Sequence, residues 1–207
     1  MSLTFYYSPM STASVTQLVL AELGVPHEAI RVDLKKGEAK TPAYLKLNPN
    51  AKVPVVVHDG TAIWESAALT MYLGEMFGVD KHLWPAPGPQ RGEAMKWVAW
   101  TNVSLGDAAQ RVERNLVWAP EDQRNAAAAA QGVKDVQALL GVLDGALAGK
   151  PYLLGDTYTV ADTHVHSFTD WLRHMNTDLS PFQNIAAWSE RCGSRPAYKA
   201  VMAAGTT

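Results

Sequence analysis

The sequence predicts a two-domain chain, an α+β unit built on a mixed four-stranded sheet followed by an all-helical bundle. Three observations carry this. Strand-like and helix-like segments alternate only as far as residue 82. The run Trp84-Pro85-Ala86-Pro87-Gly88-Pro89 then breaks every periodicity, as closely spaced prolines must. Beyond it no segment has the alternation of a strand. The expected divisions are an α+β domain over 1–82, a linker over 83–89 and a helical domain over 90–207.

Leu3–Tyr7 is short, β-prone and closed by Ser8-Pro9, which predicts a buried strand. Ser11 or Thr12 opens a helix whose apolar face is Val15, Leu18, Val19 and Leu23, and Gly24 stops it. Ala29–Leu34 returns as a strand, completing a βαβ unit with its parallel pairing. A loop with a short helix follows. Val53–His58 and Thr61–Trp64 flank Asp59-Gly60, the pair that a two-residue hairpin turn favours. Glu65–Phe77 places Leu69, Tyr72, Leu73 and Met76 at helical spacing before Gly78. The order is therefore β-α-β, a short helix, then β-β-α. In the second half, 90–118 and 123–148 read as long helices, the latter seeded by the alanines at 126–130. A third runs from near Thr159 to about Arg173, with shorter ones after it, and there is no internal repeat.

Composition narrows the function. Hydrophobic residues are 47% and charged residues 18% of 207, which is ordinary globular usage. A formal net charge of −2 argues against bulk attraction to nucleic acid or anionic membrane. No apolar run reaches the ~20 residues of a membrane span, and no secretory leader is evident at the N-terminus. One cysteine, Cys192, excludes an internal disulfide and a cysteine-rich zinc site. A cytoplasmic protein is expected.

Three stretches carry chemistry. In the first, Tyr7-Ser8-Pro9-Met10-Ser11-Thr12-Ala13-Ser14, a strand gives way to a helix N-terminus, where free amides favour an anion and hydroxyls can donate to it. The same hydroxyls also serve as ordinary caps. In the second, Asn48-Pro49-Asn50-Ala51-Lys52-Val53-Pro54, a cis Val-Pro bond would turn the backbone of Val53 outward to pair with an extended peptide. A proline merely closing a loop fits equally. In the third, Trp64-Glu65-Ser66, Ser66 can donate to a carboxylate and Glu65 can accept from an ammonium, or the pair can simply cap the helix. From Arg31 to Lys52, six basic residues (Arg31, Lys35, Lys36, Lys40, Lys46, Lys52) face two acidic ones (Asp33, Glu38). That excess suits a small anionic peptide or a solvated loop face alike.

Taken together the chain resembles the glutathione transferase family, most closely its phi and theta-like serine classes. The resemblance rests on Ser11-Thr12, Val32-Asp33-Leu34, Gly37-Glu38-Ala39-Lys40, Pro42-Ala43-Tyr44-Leu45, Asn48-Pro49, Lys52-Val53-Pro54 and Glu65-Ser66, in order over the first 80 or so residues. In the second domain, Gly155-Asp156-Thr157-Tyr158-Thr159-Val160-Ala161-Asp162 is similar to the family's N-capping box. The resemblance implies a thioredoxin-like first domain, glutathione as co-substrate with no further cofactor and no metal, a homodimer, and conjugation of the glutathione thiolate to an apolar electrophile. It implies that Val53, with Pro54, pairs with the cysteinyl backbone. Glu65 and Ser66 would hold the γ-glutamyl end, and Lys40 and Lys52 would lie near the glycyl carboxylate. Met10 and Trp118 are candidates for the co-substrate pocket. Asn102 and Asp107 lie where the family sometimes places a contact from a partner subunit. Other readings are a non-catalytic ligand-binding member of the fold and a glutathione-dependent isomerase or dehalogenase.

Conjugation needs a thiolate. Lowering a thiol from about 8.5 by two pH units takes roughly 2.7 kcal/mol. A hydrogen bond to the charged sulfur, worth about 1.5–3 kcal/mol, and a helix N-terminus, about 0.3–1, cover this without a base. Ser11 is the first candidate donor, with Tyr7 and Thr12 as alternatives and Ser14 one turn too deep. Thr12 stands where the beta class has its cysteine, so that class's mixed-disulfide chemistry is not expected. Cys192, near the chain's end, reads as a packed apolar residue. Asp162, His166 and Asp170 share a helix face, read as a cap and a partly solvated surface rather than a metal site, while His164 points elsewhere. Trp97, Trp100 and Trp171 read as core, as Trp118 does unless it lines the pocket. Neither a P-loop nor a dinucleotide fingerprint is present.

Overall fold

A computed structural model describes residues 2–205. The first half holds β1 (Leu3–Tyr7), α1 (Ala13–Leu23), β2 (Glu28–Arg31), α2 (Pro42–Leu45), β3 (Val55–His58), β4 (Thr61–Trp64) and α3 (Ser66–Phe77). The sheet order is β2-β1-β3-β4, with β1 parallel to β2 and the other pairs antiparallel. This is the expected mixed, thioredoxin-like sheet. Asp59 and Gly60 take φ values of 46° and 84°, the left-handed turn that the Asp-Gly pair favours.

Two strands are shorter than expected, each for a local reason. The second ends at Arg31 rather than Leu34 because Asp33 accepts from the backbone N–H groups of Lys35 and Lys36, turning the chain away. The third begins at Val55 rather than Val53 because Pro54 has no N–H to give a neighbouring strand.

The helical half contains α4 (Pro89–Trp100), α5 (Asp107–Glu113), α6 (Ala126–Leu147), α7 (Val160–His174), α8 (Gln183–Gly193) and α9 (Pro196–Ala203). The single helix expected over 90–118 is interrupted by two wide π-helical stretches, Thr101–Gly106 and Arg114–Trp118. Such stretches re-aim side chains and often mark functional sites. Helix α6 starts three residues later than expected, where Asn125 accepts from the Ala128 N–H. Thr159 and Asp162 form the expected capping box of α7.

One core gathers Phe5, Val19, Leu20, Val55, Leu69 and Leu73 around the sheet, and also takes in Val98 and Val160 from the helical half. Trp84, from the proline-rich stretch, is buried in it beside Gly74. A second core lies among the helices, around Leu105, Leu140, Leu143, Phe168, Ile185 and Trp188. The halves are pinned by Glu22 of α1, which accepts two bonds from Arg195, at 2.8 and 2.7 Å. That guanidinium stacks 3.6 Å above the Tyr158 ring.

Candidate functional site

Where β1 runs out, the chain turns through Ser8–Thr12 into α1. Ser11 braces this turn: its hydroxyl donates to the Ser8 carbonyl at 2.6 Å and accepts from the Ala13 N–H at 3.2 Å. Thr12 is exposed, and its hydroxyl makes only a long 3.4 Å contact to the Val53 carbonyl across the sheet.

The loop that presents Val53 is held from beneath. Tyr44 and the buried Asn48 amide both donate to the Lys52 carbonyl, at 2.9 and 2.8 Å. Asn48 also accepts from the Asn50 backbone N–H. Burial pushes the Tyr44 phenol up to about 12, so it stays a donor. The Val53–Pro54 bond is cis. At the β4–α3 join, Glu65 sits at φ 73° and ψ 118°, a region non-glycine residues rarely enter and one that tends to be kept at functional sites. Its exposed side chain stands beside Ser66, which is 4% exposed and opens α3.

These segments meet in a cleft of about 120 Å³ lined by Thr12, Asn48, Lys52, Val53, Pro54, Glu65, Ser66, Asn102, Gln110 and Phe168. The structure thus brings together Thr12, Lys52, Val53, Pro54, Glu65 and Ser66 of the sequence candidates, with Asn48 and Asn102 beside them. It does not bring the others. Ser11 faces its own turn, and Tyr7 stacks on Phe5 at 5.5 Å against the core. Lys40 is exposed at the end of a one-turn 3-10 helix. Met10 is 92% exposed and Trp118 is 60% exposed, outside both the cleft and the core. A shallower depression of about 320 Å³ by Lys150 and Arg191 holds none of the candidates.

Sequence reasoning missed Gln110 and Phe168, named Asn48 only within its stretch, and gave Asn102 only as a contact that the family sometimes draws from a partner subunit. Asn102 reaches Ser66 of its own chain, its amide donating to the Ser66 hydroxyl at 2.9 Å. Behind it, the His164 ring nitrogens sit 2.7 Å from Asn102 Oδ1 and 2.8 Å from Thr70 Oγ1. The available signal was the spacing of His164 and Phe168, four residues apart on one helix face.

The Asp162 face is more buried than expected. Asp162 accepts from the N–H groups of Leu153, Trp188 and Thr159 and from the Thr159 hydroxyl. His166 lies edge-on to Trp188, and burial holds its imidazole down at about 4. Asp170 accepts from Tyr198. Among the described residues no cluster of His, Cys, Asp and Glu is arranged for a metal ion. Cys192 is 1% exposed, with its thiol pushed far up by burial. No helix among the described residues is long and apolar enough to cross a membrane.

Comparison with known proteins identifies the family. Residues 1–75 match the glutathione S-transferase N-terminal domain and residues 94–196 the glutathione S-transferase C-terminal domain. The glutathione S-transferase GstB of Escherichia coli is 32% identical over 187 residues, covering 89% of each chain. The disulfide-bond oxidoreductase YfcG of the same organism is 28% identical over 199 residues, covering 93% of this chain and 90% of that one. The glutathione transferase URE2P6 from Phanerochaete chrysosporium, solved with oxidized glutathione, superposes with a TM-score of 0.90 at 26% identity, covering 99% of this chain and 96% of that one. The chain belongs to the glutathione S-transferase family.

Proposed function

We propose that the protein binds glutathione in this cleft and transfers its thiolate to an apolar electrophile. The observation that carries the reading is the convergence of Thr12, Val53, Glu65 and Ser66 on one cleft at the N-terminus of α1. Val53 pairs through its backbone with the cysteinyl residue, placing the sulfur beside Thr12. Glu65 takes the γ-glutamyl ammonium, Ser66 takes its carboxylate, and Lys52 lies towards the glycyl carboxylate. Lys40, exposed and outside the cleft lining, would act only as a more distant charge.

Thr12 is the donor this geometry favours for the sulfur. Its 3.4 Å contact to Val53 is weak enough to exchange for a thiolate, whereas Ser11 is held by a 2.6 Å bond. Ser11 then supports the reaction by fixing the turn. The thiol proton leaves to solvent, the sulfur attacks carbon, and the leaving group departs with its bonding pair. Gln110 and Phe168 begin the co-substrate side. A homodimer, a cytoplasmic setting and a role in detoxification are carried over from the family resemblance.

A second reading is disulfide exchange, favoured by the likeness to the oxidoreductase. With Cys192 buried, this chain supplies no reactive thiol, so the glutathione thiolate itself would attack a disulfide and expel the other sulfur as thiolate. Turnover of an aryl halide and of a mixed disulfide, each with glutathione, separates the readings. Conjugation with a pH–rate profile displaced upward in Thr12→Ala, and not in Tyr7→Phe, supports the first. Disulfide turnover alone supports the second. Binding of glutathione with neither activity would make the protein a non-catalytic member of the fold.

A further inference from the structure

We infer that Asn102 and His164 are positioning residues that lock the Ser66 hydroxyl as a hydrogen-bond donor into the cleft, aimed at the γ-glutamyl carboxylate. The inference rests on the placement of glutathione proposed above.

The argument follows the protons. A neutral imidazole has one donor nitrogen and one acceptor nitrogen. Asn102 turns its amide N–H to Ser66 Oγ at 2.9 Å, so its carbonyl oxygen faces His164 Nε2 at 2.7 Å. A carbonyl only accepts, which puts the ring proton on Nε2. Nδ1 is then the acceptor, and the Thr70 hydroxyl at 2.8 Å donates to it. The chain Thr70 to His164 to Asn102 to Ser66 therefore runs in one direction. At its end the Ser66 oxygen is already accepting, and its own proton remains for the cleft. A carboxylate is the ligand group such a proton suits, because it accepts and cannot donate.

Burial makes the device rigid. Thr70 and His164 are 0% exposed and Ser66 is 4% exposed. Burial also depresses the imidazole to about 3, so the ring stays neutral near physiological pH and the direction is not scrambled by a second ring proton. The ring is further held by stacking on Phe168 at 5.5 Å. The fold brings the parts together from three elements. Ser66 and Thr70 are four residues apart on α3, His164 is on α7, and Asn102 lies in the first π-helical stretch. Gly106 ends that stretch against Phe168, where an added Cβ would sit 2.9 Å from Cε1. Linked hydrogen bonds polarise one another, so a change at Thr70 is felt at Ser66.

The test is calorimetric binding of glutathione and of an analogue whose γ-glutamyl carboxylate is a carboxamide. Ser66→Ala should weaken glutathione about 10- to 100-fold and reduce the preference for the carboxylate form. Asn102→Leu removes the lock without adding charge. It should weaken glutathione about 3- to 10-fold with the same loss of preference, and add less than about 2-fold when combined with Ser66→Ala. Thr70→Val, outside the cleft, should act in the same direction, and Thr70→Ser should restore wild-type binding. Asn102→Leu and Thr70→Val both binding as wild type, or both weakening the two ligands equally, would overturn the inference. Ser66→Ala binding as wild type would instead overturn the placement of glutathione itself.

Discussion

Asp162→Asn is a near-isosteric change that should cost far more than its size suggests. Asp162 is 0% exposed and its two oxygens take four bonds. Oδ1 accepts from the Leu153 N–H at 2.9 Å and the Trp188 indole N–H at 3.0 Å. Oδ2 accepts from the Thr159 N–H at 3.0 Å and its hydroxyl at 3.2 Å. An asparagine must place its NH₂ on one side. The less costly choice is the Thr159 side, where the hydroxyl can rotate to accept, leaving one N–H facing another. That orphaned buried donor costs about 1–3 kcal/mol. The bonds on the retained oxygen also lose their charge assistance, roughly another 1 kcal/mol each. The sum is about 3–5 kcal/mol, or about 6–20 °C in Tm for a chain of this size. Urea unfolding of wild type, Asp162→Asn and Thr159→Ala measures it, with Thr159→Ala expected near 1 kcal/mol as a simple lost cap. A loss below about 1 kcal/mol for Asp162→Asn would refute the view that this carboxylate holds the start of α7 to Leu153 and α8.

Other outcomes follow from the same packing. Gly74→Ala would put a Cβ 2.7 Å from the buried Trp84 ring, and should destabilise by about 1–3 kcal/mol in urea unfolding. Arg195→Met removes the only charged partner that the Glu22 carboxylate, 4% exposed, has among the described residues, leaving it the Tyr158 hydroxyl at 3.3 Å, and should cost about 3–5 kcal/mol, with Glu22→Gln/Arg195→Met recovering part of it. His164 and His166 are held at about 3 and about 4 in the folded chain, below the ordinary 6.5. The unfolded chain therefore takes up protons first as pH falls. Their contribution is fully present above about 6.5 and is lost below it, with a limiting slope of about 2.7 kcal/mol per pH unit for the two together. Unfolding at pH 7, 6 and 5 checks the sign.

The sheet, its hairpin and the cap of α7 were legible because each is written in a few adjacent residues. Asp59-Gly60 dictates its turn whatever surrounds it, and Thr159 needs only Asp162 three residues on. The cleft was legible on its sheet side for the same reason, since Lys52-Val53-Pro54 and Glu65-Ser66 are local runs. Its helical side was not. Asn102 and His164 are 62 residues apart in sequence and meet only because a π-helical turn and Gly106 let α7 come close. His164 has only its four-residue spacing to Phe168 as a local cue, and Asn102 has none. Ser11 and Thr12 show the finer limit: both are hydroxyls at a helix start, and only the 2.6 Å bond from Ser11 to Ser8 tells which one faces its own turn.

Ultraviolet titration of the sulfur in the glutathione complex asks whether Thr12 steadies a bound thiolate. Wild-type complex should ionise roughly two pH units below the ordinary thiol value of about 8.5, and Thr12→Val should return at least half of that gap while Ser11→Ala returns less. A bound sulfur that ionises like the free tripeptide, or one unmoved by Thr12→Val, would contradict the account.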